Sequence, residues 1–264
     1  MKIPALNPFY RAALVLLGAA VVLILVAVIT PEKGLTSAAL VIAGVSCMVT
    51  GIFLAALSGP EPVNTRLISL LPVQGAISLS RICADLGISE NAHFLPPAKS
   101  RNGRIMQFNP VAPFDGDDAS IHGDSFVIPP GPAGLLVMPS SAPLIQELRA
   151  SHGLVVPADA SALPDLIREA GVELMETADR MSVEVSGTTI TVRMEGYRLI
   201  DGCRAVQGES PRCCLVSPCP VCSLFACLIT EGTGQVVRLE HCSPDATGAS
   251  VTLVFSLLLP GSSA

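Results

Sequence analysis

Residues Ala12 to Thr30 read AALVLLGAAVVLILVAVIT and carry no charge. A helix of this length crosses a hydrocarbon core of about 30 Å. Pro31-Glu32-Lys33-Gly34 then supplies a helix stop and two charges. Leu35 to Leu57, LTSAALVIAGVSCMVTGIFLAAL, is a second uncharged run of spanning length. Two adjacent runs this long are too apolar for an ordinary buried core hairpin. They predict a transmembrane helical hairpin, 12–30 and 35–57, within an N-terminal domain of residues 1–60. A cleaved signal peptide fits less well, because the first run outlasts a signal's apolar core and Val28-Ile29-Thr30-Pro31 lacks the small residues of a cleavage site.

Basic residues in short flanks stay on the cytoplasmic side. Lys2 and Arg11 precede the first run, Arg66 and Arg81 follow the second, and the loop holds one Lys and one Glu. Both termini are therefore expected in the cytoplasm, at a cell membrane. Phe9 and Tyr10 stand where an interfacial aromatic anchor belongs. Gly44 and Gly51, with Ala39, Ala43 and Ala55, offer small surfaces for close helix contact.

From Glu61 onward the chain is acidic, with 13 Lys and Arg against 21 Asp and Glu, while the net charge of all 264 residues is −6. Binding duplex nucleic acid needs a basic face to neutralise phosphates, so a nucleic-acid partner is not expected. With 50% hydrophobic and 14% charged residues the chain is too apolar to be disordered. It is also too long and too Cys-poor for a small disulfide scaffold.

The expected architecture is an α+β cytosolic domain anchored by the hairpin. Its first section, 61–156, is a Pro/Gly-rich mixed α/β stretch. Val73 to Leu86 reads as a helix with Ile77, Ile82 and Leu86 on its apolar face and Gly87 at its end. Asn102-Gly103 signals a tight turn between extended segments. Ser125–Ile128 and Gly134–Met138 read as strands. Ser141 is placed to cap a helix running to about Ser151, with Pro143 in its first turn and Gly153 past its end. In the second section, 157–264, Ser161 heads a helix with Leu163, Leu166, Ile167, Ala170 and Leu174 at helical spacing. Met181–Val185 and Thr189–Met194 alternate around Ser186-Gly187-Thr188 and predict a hairpin. A Cys-rich segment follows, then strands at Val236–Cys242 and Ser250–Leu258. The sequence leaves open whether the two sections fold together.

Nine cysteines occur. Cys47 lies in the second apolar run and Cys83 on a helix. Seven crowd the C-terminal section: Cys203, Cys213, Cys214, Cys219, Cys222, Cys227 and Cys242. Stable disulfides are not expected in a cytosolic domain. Cys219-Pro220-Val221-Cys222 has the spacing of half a zinc or iron–sulfur site. Adjacent Cys213 and Cys214 diverge, so one at most can join. Cys227 lies about 140° around the helix from Cys222, at 100° per residue. Cys203, Cys242 or His241 would complete the shell, and the expected metal ligands are Cys214, Cys219, Cys222 and Cys242. In a redox reading, Cys219 at a helix N-terminus gains thiolate stability and Cys222 resolves a mixed disulfide. In the third reading the cysteines are small apolar residues of a core helix, CSLFACLI.

Other signals are weaker. Asp115-Gly116-Asp117-Asp118 with Asp124 resembles a cation loop, but Ala119 occupies a ligand position and the closing Glu is missing. Lys99-Ser100-Arg101-Asn102-Gly103-Arg104 offers a basic tip to anionic headgroups. His93, His122, His152 and His241 are scattered; only His241, beside Cys242, stands where a ligand would, and the favoured reading even there is a partly exposed His at a strand end. Gly232-Thr233-Gly234 reads as a helix-to-strand turn. No nucleophile elbow, zinc-protease helix or phosphate-binding loop occurs, so no enzyme activity is expected.

Cys219-Pro220-Val221-Cys222-Ser223-Leu224-Phe225, then Val236 to Cys242, then Val251 to Phe255, resemble the vinyl-reductase-like small-molecule-binding domain, which is related to vesicle-trafficking subunits. The resemblance covers roughly residues 158–258 and implies an α/β domain around an apolar ligand pocket. That family often has a further Cys after a Gly in its final strand, whereas Gly248 is followed here by Ala249, Ser250 and Val251. The whole chain is also similar to uncharacterised two-helix membrane proteins of methanogenic archaea. The leading expectation is a membrane-anchored, cytosol-facing, non-catalytic binding or sensory module whose ligand the sequence does not identify, with a small apolar molecule as one partner the resemblance implies. The alternatives are a membrane-tethered zinc, iron–sulfur or redox protein, and a structural subunit that meets a membrane-protein partner or a second copy through its hairpin.

Overall fold

The computed structural model of the chain describes residues 8–30, 34–57, 64–100, 103–116, 121, 125–127, 132–157 and 159–258. Lys2, Glu32, Lys33, Glu61, Arg101, Asn102, Asp117, Asp118, Ala119, His122, Asp124 and Ile128 lie outside the described residues. The chain divides into two units, Met1–Val63 and Asn64–Ala264.

In the first unit α1 (Pro8–Ile29) and α2 (Leu35–Leu57) form a hairpin. Both are long and apolar enough to cross a membrane. Their seam is built from small residues at heptad spacing, the period that keeps one helix face against a partner. Ala13, Ala20 and Ala27 of α1 are buried. A Cβ added at Gly44 would meet Ile24 at 2.8 Å, and one at Gly51 would meet Leu17 at 3.0 Å. Ala39 and Ala43, expected in this seam, are exposed instead, because they lie off the Gly44–Gly51 stripe.

The second unit begins with α3 (Thr65–Leu70) and α4 (Val73–Asp85). Together, Thr65–Asp85 also meets the length and apolarity of a membrane span. Leu71-Pro72 splits it, and Ala76, Ile77 and Cys83 of α4 are buried within the unit. Of the expected apolar positions Ile77 is buried, whereas Ile82 and Leu86 are exposed.

Strands β1 (His93–Leu95), β2 (Met106–Pro110), β3 (Phe126–Val127) and β4 (Gly134–Val137) follow. β1 and β2 pair antiparallel through a longer connection, within which Gly103 N–H donates to the Ser100 carbonyl at 3.1 Å, the bond of the tight turn expected there. Pro96 and Pro97 lack ladder donors, so the strand stops at Leu95 and a 3-10 turn, Pro97–Lys99, leads away. Helix α5 (Ala142–His152) ends at Gly153, which has the left-handed φ of 66° expected of a C-cap. Ser141 precedes it without a capping bond; its hydroxyl turns inward to Ser223 Oγ at 3.0 Å.

Helix α6 (Leu163–Glu169) runs into a single wide π-turn, Ala170–Leu174. The residue that caps the entry is Asp159, which accepts from the Ser161 backbone N–H at 2.9 Å, rather than Ser161 itself. Then come β5 (Arg180–Ser186) and β6 (Thr189–Glu195), turning at Gly187 with φ 59°. Helices α7 (Ile200–Glu209), α8 (Cys213–Val216) and α9 (Pro220–Thr233) precede the closing strands β7 (Val236–Pro244) and β8 (Ser250–Leu258).

All eight strands form one antiparallel sheet in the order β3-β4-β2-β1-β7-β8-β6-β5. Section 61–156 supplies one half and section 157–264 the other. They meet where β1 pairs with β7, His93 opposite Arg238 and Phe94 opposite Val237. The fold is thus α+β, with helices packed over an antiparallel sheet. Helix α9 has an unbroken buried run from Val221 to Thr230 and lies in the main core with Phe94, Val237, Leu253 and Phe255.

His93 sits at this junction, fully buried, its Nδ1 2.8 Å from the Asn91 carbonyl and its ring edge-on to Phe114. Burial, reinforced by the nearby Arg238 charge, pushes its pKa down to about 4. The unfolded chain, with an ordinary His pKa near 6.5, therefore binds more protons between these values. The stabilising preference for neutral His93 is fully present above pH ~6.5 and disappears as pH falls toward the folded value, a change on the order of 3 kcal/mol. The thermal midpoint of the full chain in detergent should fall between pH 6.5 and 4, and His93→Gln should flatten that slope.

Candidate functional site

Five cysteines from separate elements converge beside the N-terminus of α9. Cys203 comes from α7, Cys214 from α8, Cys219 and Cys222 from the α9 entry, and Cys242 from β7. The contact is sequential: Cys203 meets Cys219, Cys219 meets Cys222, Cys222 meets Cys242, and Cys242 meets Cys214. Cys219 Sγ and Cys222 Sγ are 3.5 Å apart. Among the described residues, no three or more His, Cys, Asp or Glu side chains stand in a ready-made metal-holding arrangement. The thiols form a chain rather than a closed shell.

Local structure explains each placement. Pro220 occupies the first position of α9, where its missing N–H goes unneeded, so Cys219 becomes the N-cap residue and Cys222 falls one turn later. Residues three apart share a helix face. Cys242 owes its position to a bulge in β7 between Leu239 and His241. Strict alternation from buried Leu239 would turn His241 inward. The extra residue, Glu240, shifts the phase, so Cys242 is buried and His241 exposed. His241, one of the expected completers of the shell, is therefore excluded from it.

Segment 213–217 is pinned to the sheet. Val216 O accepts from Asn109 Nδ2 at 2.8 Å and from Gln107 Nε2 at 3.3 Å, and Leu215 O accepts from Ala92 N at 2.8 Å. Cys214 faces the cluster, whereas Cys213 Sγ turns to the Ala76 carbonyl at 3.6 Å. Cys227 is likewise elsewhere, 3.5 Å from Ser141 Oγ. The four sequence-expected ligands are thus brought together, and Cys203 joins them.

The cluster lines an apolar cavity of about 680 Å³. Ile68, Leu71, Val73 and Ala76 form one wall, Leu144 and Leu148 of α5 a second, and Leu174, Met175 and Val206 a third. Cys203, Cys214 and Cys219 border it, as does the buried Tyr197. Among the described residues that line it, Glu147 and His152 are the only ionisable ones apart from the thiols and Tyr197. The lip is apolar too, with Leu67 63% and Leu71 79% exposed. Gly202 lets α3 lie against α7; a Cβ there would come within 2.1 Å of the Ser69 carbonyl. The wall at Leu174 follows the π-turn, and Glu176 beyond it holds a left-handed φ of 50°, a strained backbone of the kind found at binding sites.

The five thiols are not equivalent. Cys219 is partly exposed, and the other four are buried. Its pKa is held well below the usual thiol value, first because Cys203 and then Cys222 donate toward its sulfur. The N–H groups of Cys222 and Val221 add to this, although Cys219 makes no closed side-chain cap bond. Cys242 is lowered in the same way by Cys214 and Cys222, while the donors Cys203, Cys214 and Cys222 are raised. Buried Tyr197 is pushed well above its ordinary value and keeps its phenol proton.

Sequence reasoning found the thiols through their spacing. The resemblance implied an apolar pocket, but no residue pattern located its walls, which come from α3, α4, α5 and the π-turn and are ordinary apolar residues; a partial signal was the apolar character of Leu67, Ile68, Leu70 and Leu71 beside the break at Pro72. The basic tip at Lys99 is occupied internally, with Lys99 Nζ donating to the Gly116 carbonyl.

Residues 7–255 match the family described as Domain of unknown function (DUF7982). No curated protein and no solved structure matches the chain.

Only a thiolate reacts rapidly with iodoacetamide. Cys219 should be the first cysteine of Asn64–Ala264 alkylated in the folded chain, and it should keep reacting below pH ~8, where an ordinary thiol is mostly protonated. Peptide mapping after brief labelling checks this; labelling of Cys213 or Cys227 ahead of Cys219 contradicts it.

Proposed function

We propose that this chain, which belongs to the DUF7982 family, is a membrane-anchored module that binds an uncharged apolar ligand. The carrying observation is the cavity of about 680 Å³, a size suited to a small organic molecule, with walls that offer apolar contact and almost no charge. The resemblance of residues 158–258 to the vinyl-reductase-like domain supports the same ligand class. The two apolar helices of the first unit support an anchor, which would raise the effective concentration of the module near membrane-dissolved ligands. Exposed Leu67, Ile68, Leu70 and Leu71 supply an apolar approach to the cavity. The cytoplasmic orientation belongs to this proposal and rests on the basic flanks.

A photoactivatable diazirine on a medium-chain alcohol tests the reading in nanodiscs holding the full chain. Labels should accumulate on cavity residues such as Leu148 and Val206. Val73→Trp, which grows from a half-buried wall position into the cavity, should lower that labelling at least fivefold while the thermal midpoint changes little. Labelling confined to α1 and α2 refutes the pocket.

The thiol chain favours a second reading, in which Cys214, Cys219, Cys222 and Cys242 hold zinc or an iron–sulfur cluster. A zinc tetrahedron with ~2.3 Å arms has edges of about 3.8 Å, close to the 3.5 Å between Cys219 and Cys222. That distance is short for sulfurs held by separate irons of a large cluster, so zinc is the better fit. The remaining thiols would have to turn inward to close the shell. Anaerobic purification followed by elemental analysis should find about one zinc per chain, lost in Cys222→Ser; a metal-free chain with all its thiols titratable ends this reading.

A further inference from the structure

We propose that Cys219 and Cys222 are a thiol–disulfide pair at the floor of the cavity, oxidised by an uncharged quinone-type carrier that enters the same cavity. This rests on the cavity being a ligand site. The division of labour is geometric. Cys219 borders the cavity and is partly exposed, so an oxidant in the cavity reaches its sulfur first. Cys222 is 1% exposed and does not line the cavity; it stands behind Cys219 with its sulfur 3.5 Å away. A disulfide needs about 2.0 Å between sulfurs and a Cα separation that one helical turn provides. Side-chain rotation at the start of α9 therefore closes the bond without moving the helix.

The cavity selects the oxidant. Disulfide exchange with a charged peptide such as oxidised glutathione would bury several charges against Leu71, Val73, Leu148 and Met175, where among the described lining residues no Lys or Arg, and a single His beside a Glu, is present to receive them. A quinone is flat, uncharged and apolar, and accepts two electrons and two protons. Tyr197 borders the cavity and its buried phenol keeps its proton, which it donates to Cys203; a quinone carbonyl would take that hydrogen bond in place of the Cys203 sulfur.

The step balances. The Cys219 sulfur adds to a quinone ring carbon, and its electron pair moves through the ring to one oxygen. Cys222 gives up its proton, and its sulfur attacks Cys219 Sγ. The S–S bond forms as the carbon–sulfur bond breaks, and that bonding pair moves to the second oxygen. The protons from the two thiols end on the two oxygens. One dithiol and one quinone become one disulfide and one hydroquinone.

Duroquinone is a suitable probe, because its fully substituted ring leaves no permanent thiol adduct. The full chain, reduced and held anaerobically in nanodiscs, should yield one duroquinol per chain and a Cys219–Cys222 disulfide by peptide mapping. Cys222→Ser should abolish both products. Val73→Trp should slow oxidation by duroquinone at least tenfold and slow oxidation by diamide, a smaller polar thiol oxidant, by much less. Oxidised glutathione should react at least tenfold more slowly than duroquinone.

A Cys219–Cys222 disulfide formed with diamide but not with duroquinone overturns the proposal and leaves the cavity reading intact. A disulfide mapped to another pair, or bound zinc that blocks oxidation by both reagents, also overturns it. If the cavity reading itself fails, the diazirine alcohol gives no cavity labels, and Val73→Trp has no effect on either oxidant.

Discussion

Helix α9 has almost no solvent face. Ten consecutive residues, Val221 to Thr230, are buried, and a helix hydrophobic all round must be covered on every side. The sheet covers one flank through β1 and β7, while α5 and α6 cover others. Few polar groups travel with it, and each finds a local partner: Thr230 Oγ1 donates to the Ala226 carbonyl at 2.8 Å, and Ser223 meets Ser141 at 3.0 Å. Burying the helix body fixes its start, and with that start the CxxC pair. Everything bordering the cavity is arranged around this end of α9.

The covering is shared between parts of the chain far apart in sequence. Strands β1 to β4 and helices α3 to α5 belong to the first section of the second unit, yet they complete the sheet and wall the cavity beside cysteines of the second section. Phe94 joins Val237, Leu253 and Phe255 in one core. Separating the sections would expose that core and open the cavity, so the cavity and the fold draw on the same contacts. The His93 junction lies on this boundary, and its buried neutral imidazole ties the pairing of β1 with β7 to pH.

Local patterns in the sequence were legible where one element answers to one period. The two apolar runs, the hairpin around Gly187, the helix stop at Gly153 and the strands at 236–242 and 250–258 all emerge with nearly the expected bounds. Turn and cap details were less legible, since the Ser161 hydroxyl and N–H both donate to Asp159, which takes the capping role, and Ser141 has an inward partner. In the hairpin the glycines were read correctly, but the alanines opposite them, Ala13, Ala20 and Ala27, emerge only when the two helices are set together. The site divides in the same way. Spacing identifies Cys219 and Cys222, and side-chain divergence correctly separates Cys214 from Cys213. Only the bulge at Glu240 decides between His241 and Cys242, and a single extra residue in a strand leaves no periodic trace. The cavity has no motif, because it is a gap among apolar residues.

The chemistry of the cluster follows from what it lacks. No Lys or Arg side chain lines the cavity beside the five thiols. One thiolate at Cys219 is supported by its donors, but a second at Cys242 feels the first charge as a repulsion across a buried space. The doubly ionised cluster is thus unfavourable unless something neutralises it. Only three states relieve that strain: mostly protonated thiols linked by weak hydrogen bonds, a cation bound by several thiolates, or a covalent S–S bond that removes two ionisable groups. Among the five thiols, Cys219 is the one both supported as an anion and bordering the cavity, so a reagent in the cavity meets its sulfur first.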